Sequence, residues 1–175
     1  MDSESILIFE GFTAREEALM DEALALAALA AASGEVPAGA VLADPEGRLA
    51  GRGRNQMLAL ADPTAHAEIM AIRAAALKAG NYRLTGYLLV STLEPCPMCL
   101  MAAIHARVGR IIFGAPEPRW GAAGSLLNLT ELAGLNHRPL VRGGLKAEAG
   151  RELITAFFQA RRQGAKRLFT HPRSI

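Results

Sequence analysis

Residues 86–114 read GYLLVSTLEPCPMCLMAAIHARVGRIIFG, and their pattern decides the fold. Gly86 to Ser91 is a continuous apolar run of strand length, Pro97 to Arg107 carries helical periodicity behind a proline, and Arg110 to Gly114 is a second apolar strand. A strand, a helix and a strand within one short stretch form a crossover unit. The alternation predicts a mostly parallel central sheet covered on both faces.

The flanking sequence supplies the other layers. Upstream, Thr13 and Glu16 make a capping-box pattern ahead of Leu19, Ala23, Leu26 and Ala30 at helical spacing, and Gly34 stops the helix. Ala38 to Ala43 and Arg48 to Arg54 flank the turn formers Asp44-Pro45-Glu46-Gly47, which predicts two antiparallel strands. Asp62-Pro63-Thr64 opens a second helix through about Ala79, closed by Gly80-Asn81. Downstream, Pro116 to Asn136 reads as a functional loop with a short helical piece near Ser125 to Leu132. A strand near Pro139 to Arg142 and a helix from about Lys146 to Gln163 complete the chain. The expectation is one domain over residues 1–175, with its core at about 14–163 and a tail at 164–175.

Composition narrows the function. A chain of 175 residues with 51% hydrophobic content can bury a core, which excludes disorder. Its net charge of +2 conceals an asymmetry: residues 1–137 hold 10 Lys/Arg and 15 Asp/Glu, a net −5, whereas residues 138–175 hold 9 and 2, a net +7. A basic segment on an acidic body suits an anionic partner, or a solvated helix face. Two cysteines three apart build no secreted disulfide framework, so they are expected as reduced thiols. The N-terminus lacks a secretory n-region, and the longest apolar run, Ala23 to Ala32, is too short to span a bilayer. These features predict a cytoplasmic protein with no membrane partner. No Gly-x-x-x-x-Gly-Lys loop is present, which sets nucleoside triphosphate hydrolysis aside.

His66-Ala67-Glu68 opens one helix and Pro95-Cys96-Pro97-Met98-Cys99 opens another. Residues two apart on a helix differ by about 200°, so His66 and Glu68 can share a site only off the helix end. Cys96 and Cys99 project to one side, and the helix dipole favours their thiolates. One imidazole and two thiolates suit a single zinc ion per chain. The chain has no third cysteine to close a structural site, so a fourth position falls to water, whose pKa zinc lowers to about 7 to 9. Glu68 is then placed as the general base. Alone, Cys96-x-x-Cys99 also fits a thioredoxin-like redox pair, but such a pair has no use for His66-x-Glu68. His105, inside an apolar helix, is expected as a core residue.

His66-x-Glu68 with Pro95-Cys96-x-x-Cys99 matches the zinc deaminase signature. With Glu35-Val36-Pro37, Asn55, Asp62 to Met70, Asn81 to Leu84, Thr92 to Cys96, Gly121 to Ser125, Asn136 to Arg138, Phe157-Phe158 and Arg161-Arg162, the chain resembles the bacterial tRNA-specific adenosine deaminases from about Ala14 to Arg162. The resemblance implies a three-layer α/β/α cytidine deaminase-like fold with a central five-stranded mixed sheet whose final two strands run parallel, and a homodimer. It implies zinc on His66, Cys96 and Cys99, with Glu68 shuttling protons during hydrolytic conversion of a tRNA wobble adenosine to inosine. Asn55, Val36, Pro37, Ala67 and Glu117 are implied substrate contacts. Phe157, Arg161 and Arg162 are implied contacts to the tRNA anticodon stem-loop.

The chain departs from the family's usual Asp-x-Lys-like segment at Pro116-Glu117-Pro118-Arg119-Trp120, and Gly34 stands where a basic residue is common. Trp120 suits either base stacking or a hydrophobic loop contact. Two other functions compete. A guanine or cytosine deaminase would use the same metal residues but has no need of the basic C-terminal helix. A non-catalytic RNA-binding module would have no need of Glu68.

Overall fold

The computed structural model describes residues 11–170, with side chains through Gln163. In chain order the elements are α1 (Ala14–Ala32), β1 (Gly39–Ala43), β2 (Leu49–Arg54), α2 (Met57–Leu60), α3 (Ala67–Ala79), β3 (Leu88–Leu93), α4 (Pro97–His105), β4 (Arg110–Ala115), a 3-10 turn (Leu129–Glu131), β5 (Leu140–Gly143) and α5 (Ala147–Thr170). The strands form one sheet in the order β2-β1-β3-β4-β5. β1 is antiparallel to both β2 and β3, while β3, β4 and β5 run parallel. The sheet is therefore mixed, as the family resemblance implies, and not mostly parallel as the strand–helix alternation alone suggests. Alternation fixes the crossovers, but not the insertion of the β1–β2 hairpin beside β3.

Side chains of alternating residues face opposite ways on each strand. Leu42, Leu89 and Ile111 join Ala71, Leu100 and Ile104 on the α3/α4 side. Val41, Val90 and Ile112 join Leu19, Met20 and Ala23 of α1 on the other, where α5 also packs against β4 and α1. Both faces are covered, giving the three-layer α/β/α fold. The capping box forms: Thr13 N–H donates to Glu16 Oε2 over 2.9 Å and Glu16 N–H to Thr13 Oγ1 over 3.2 Å.

Several boundaries differ from the sequence reading. α3 begins at Ala67, not Asp62, because Asp62 Oδ1 accepts from both Thr64 N–H (2.8 Å) and Thr64 Oγ1 (2.7 Å) and folds residues 62–65 into a turn. α2 was not expected; it is a single turn capped from a distance by Glu35. α5 continues past Gln163 to Thr170, across the expected core limit, and residues 171–175 of the expected tail lie outside the described residues. His105 is exposed at the last turn of α4 and is not a core residue. Among the described residues no helix is long and apolar enough to cross a membrane.

One packing detail sets the position of the site. A Cβ on Gly53 of β2 would lie 2.0 Å from Ala67 O and 2.5 Å from Ala71 N, so glycine lets α3 lie directly on the strand backbone. This brings the first turn of α3, and His66 before it, down onto the sheet.

Candidate active site

The site lies beyond the end of the sheet where β2, β3 and β4 finish and β1 begins, as the pairings Gly39 with Arg54 and Leu93 with Ala115 require. His66 is the N-cap of α3, with φ −70° and ψ 155°, and its ring caps no backbone N–H. It is thereby left to point off the helix end. Cys96 is the N-cap of α4, Pro97 follows at the first helical position and Cys99 lies in the first turn. Two helix N-termini thus face one point.

His66 Nδ1 lies 3.6 Å from Cys96 Sγ and 3.5 Å from Cys99 Sγ, and the three donor atoms lie within 4.8 Å of one another. Tetrahedral zinc, with Zn–S of about 2.3 Å and Zn–N of about 2.0 Å, needs N···S separations of about 3.5 Å. The donor set fits that ion. Hydrogen bonding from Cys99, aided by His66 and opposed by burial, brings the Cys96 thiol down to about 4. Cys96 and burial push Cys99 upward, and the Cys96 partner raises His66. Glu68, only 6% exposed, is held above the ordinary carboxylate range by burial.

The other expected site residues divide into two groups. Pro37, Asn55 and Ala67 are buried, and Val36 is half-buried, at this same end of the sheet. Asn55 N–H donates to Ala38 O over 3.0 Å, and Gln56 N–H to Ala65 O over 3.0 Å, tying the Asn55 segment to both neighbours of the site. Glu117 is two residues beyond β4, and its Oε1 accepts Arg119 N–H over 3.0 Å. Phe157, Arg161 and Arg162 are on α5. They lie 10 to 15 residues along α5, or about 15–22 Å from its start at 1.5 Å per residue. Phe157 packs edge-to-face on Phe158 with centroids 5.4 Å apart, and Arg161 lies 5.3 Å from the Phe157 centroid.

Two buried carboxylates hold the site's walls, and neither was assigned a role from sequence. Glu35 accepts Leu58 N–H (2.8 Å), Ala59 N–H (2.9 Å) and Asn55 Nδ2 (3.4 Å). Glu94 accepts Glu117 N–H (3.1 Å), Ala123 N–H (2.9 Å), Ser125 N–H (3.0 Å) and the Ser125 hydroxyl. The available signal was an acidic residue next to apolar ones at each strand end, within Glu35-Val36-Pro37 and Thr92-Leu93-Glu94.

Three convergent donors with a buried carboxylate two residues from one of them define the class: a zinc-dependent deaminase fold and centre. Residues 13–115 match the family described as the cytidine and deoxycytidylate deaminase zinc-binding region. The chain is 43% identical over 151 residues to the tRNA-specific adenosine deaminase of Haemophilus influenzae, covering 86% of this chain and 87% of the relative. It is 49% identical over 144 residues to the tRNA(Ile)-lysidine synthase of Deinococcus deserti, covering 82% of this chain but spanning only 27% of that longer protein. A structure solved in a study of A-to-I editing by tRNA:A34 deaminases at the wobble position of transfer RNA superposes with a TM-score of 0.75 at 40% identity, over 78% of this chain and 98% of its own. The chain belongs to the tRNA-specific adenosine deaminase family, within the cytidine deaminase-like fold.

Proposed function

We infer that the chain hydrolyses the 6-amino group of adenosine at the wobble position of a tRNA, giving inosine and ammonia. The observation that carries this is the meeting of His66, Cys96 and Cys99 donors beside buried Glu68, in a chain similar over most of its length to tRNA adenosine deaminases. His66, Cys96 and Cys99 hold one zinc. When bound, zinc supplies the Lewis acidity that lowers the pKa of water toward neutrality.

Glu68 performs the proton transfers. It takes a proton from the attacking water and delivers it to N1 of the adenine as C6 becomes tetrahedral. It then passes the second water proton to the amino group, which leaves as ammonia. Burial, by holding the carboxyl above its usual range, suits a group that must both accept and return a proton near neutral pH. Val36, Pro37, Ala67, Asn55 and Glu117 contact the substrate nucleotide. Phe157, Arg161 and Arg162 on α5 meet the anticodon stem-loop. The chain works in the cytoplasm as a homodimer.

The test is to incubate zinc-loaded protein, assayed for about one zinc per chain, with unmodified tRNA bearing a wobble adenosine and, separately, with adenosine, cytidine and guanine. Inosine is expected in the tRNA alone. Ammonia release from a free base alone would overturn the reading.

A further inference from the structure

We propose that Trp120 is a nucleobase-stacking platform, presenting its indole to a base next to the nucleotide that enters the metal site. The proposal rests on the polynucleotide substrate inferred above. Trp120 is 67% exposed and is the chain's only tryptophan. A large aromatic on a pliant loop would signify little, since exposed apolar side chains are common. This loop is held in place.

Glu94 grips it through three backbone N–H groups and one hydroxyl. Gly121, next to Trp120, packs so closely that a Cβ would lie 2.4 Å from Glu94 Cδ and 2.6 Å from Glu117 O. Ala122 N–H donates to Pro95 O over 2.9 Å, joining the loop to the residue that precedes Cys96. Two residues span at most about 7 Å, so the Trp120 backbone stays within that reach of Ala122, the residue bonded to the metal-ligand turn. Trp120 N–H and Gly121 N–H both donate to Glu117 O, over 3.3 and 2.7 Å, fixing the turn from which the indole projects.

Charge selects the occupant. Arg119, adjacent and exposed, makes no ion pair among the described residues and can meet a phosphate. A rigid aromatic face beside a guanidinium outside any ion pair among the described residues, on a loop bonded to the turn that carries Cys96, suits a single-stranded nucleotide: the base stacks and its phosphate pairs. The same loop also exposes Leu126 and Leu127, so contact with a second copy of the chain is the competing outcome that the test separates.

The single tryptophan makes its own emission the readout. Zinc-loaded protein is titrated with an anticodon stem-loop RNA bearing a wobble adenosine, at several protein concentrations, while tryptophan fluorescence and inosine formation are followed separately. Quenching by RNA is expected, with Trp120→Ala weakening binding about 5- to 100-fold and Trp120→Phe restoring part of it. Zinc content and melting temperature should stay unchanged in both variants. Inosine formation without quenching, with Trp120→Ala binding as tightly as the parent, overturns the platform while leaving the activity intact. Quenching without inosine preserves the platform and overturns the activity. Emission that changes with protein concentration instead of RNA assigns Trp120 to contact between copies and overturns the proposal.

Discussion

Glu68 sits at the second position of α3, where a carboxylate gains from the helix dipole, yet burial raises it. Its neighbours His66, Cys96 and Cys99 form a group that could hold a metal ion, and donor atoms given to a metal are not free to shuttle protons. Glu68 is thus the group left to do so. Glu68→Ala removes the shuttle without touching a ligand, so zinc measured after desalting should stay at about one per chain. Turnover of the wobble adenosine should fall by a factor of at least about 10²–10⁴, the usual scale of lost general acid–base catalysis. Retention of substantial activity in the zinc-loaded variant would refute the assignment. The four residues at the heart of this site were legible in the sequence because each sits at a helix N-terminus marked by local signals: Thr64 and Asp62 before one, Pro97 within the other. Glu35 and Glu94 had no such mark. Their roles lie in bonds to residues 20 to 31 positions away, which no local periodicity encodes.

At the scale of the element, helix α1 illustrates how a local signal acquires a distant partner. The capping box at Thr13 and Glu16 was readable, but Glu16 also accepts a hydrogen bond from Arg110 at the start of β4, 94 residues away. Burial acts to raise the Glu16 carboxyl, but the hydrogen bonds from Thr13 and the Arg110 guanidinium outweigh it and hold the group below its usual value. A depressed carboxylate contributes stability that is full above the unfolded pKa, about 4.3 for Glu, and is lost as pH falls through the lower folded value. Because Arg110 is 44% exposed, solvent screens the pair and the cap accounts for most of the effect. Glu16→Gln keeps an acceptor for the Thr13 N–H but loses the charge, so it should cost about 0.5 kcal/mol at pH 7, a melting temperature lower by about 1–2 °C. The gap between parent and variant should close near pH 3. A gap as wide at pH 3 as at pH 7 would show that shape, not charge, makes Glu16 useful. Element boundaries were less legible than element identities for a related reason. Asp62 and Thr64 carry the signals of a helix start, and the side-chain bonds between them spend those signals on a turn that delays the helix to Ala67.

For the whole molecule, the +2 net charge averages an acidic fold and a basic end. The described structure accounts for part of the basic segment internally: Arg138 donates to Thr130 O and Leu132 O, Arg142 to Gly11 O, Lys146 pairs with Asp21 and Arg151 with Glu148. Arg161 and Arg162 are exposed on α5 and make no ion pair among the described residues. If these two meet phosphates of an anticodon stem-loop, each should contribute about 0.7 to 0.9 to the slope of log affinity against log salt, through release of condensed counterions. Replacing both with alanine should then flatten that slope by about 1.4 to 1.8 while weakening binding at low salt. The expected pattern is specific in a second respect. The candidate metal donors sit at the starts of α3 and α4 and not on α5, so zinc content should not change. At saturating RNA, kcat should stay close to the parent's and the loss should appear in KM, because these cations act in binding and not at the reacting carbon. A slope unchanged by the double substitution would mean that α5 carries its charge only toward solvent, and that RNA is drawn instead by the loop bearing Arg119 and Trp120.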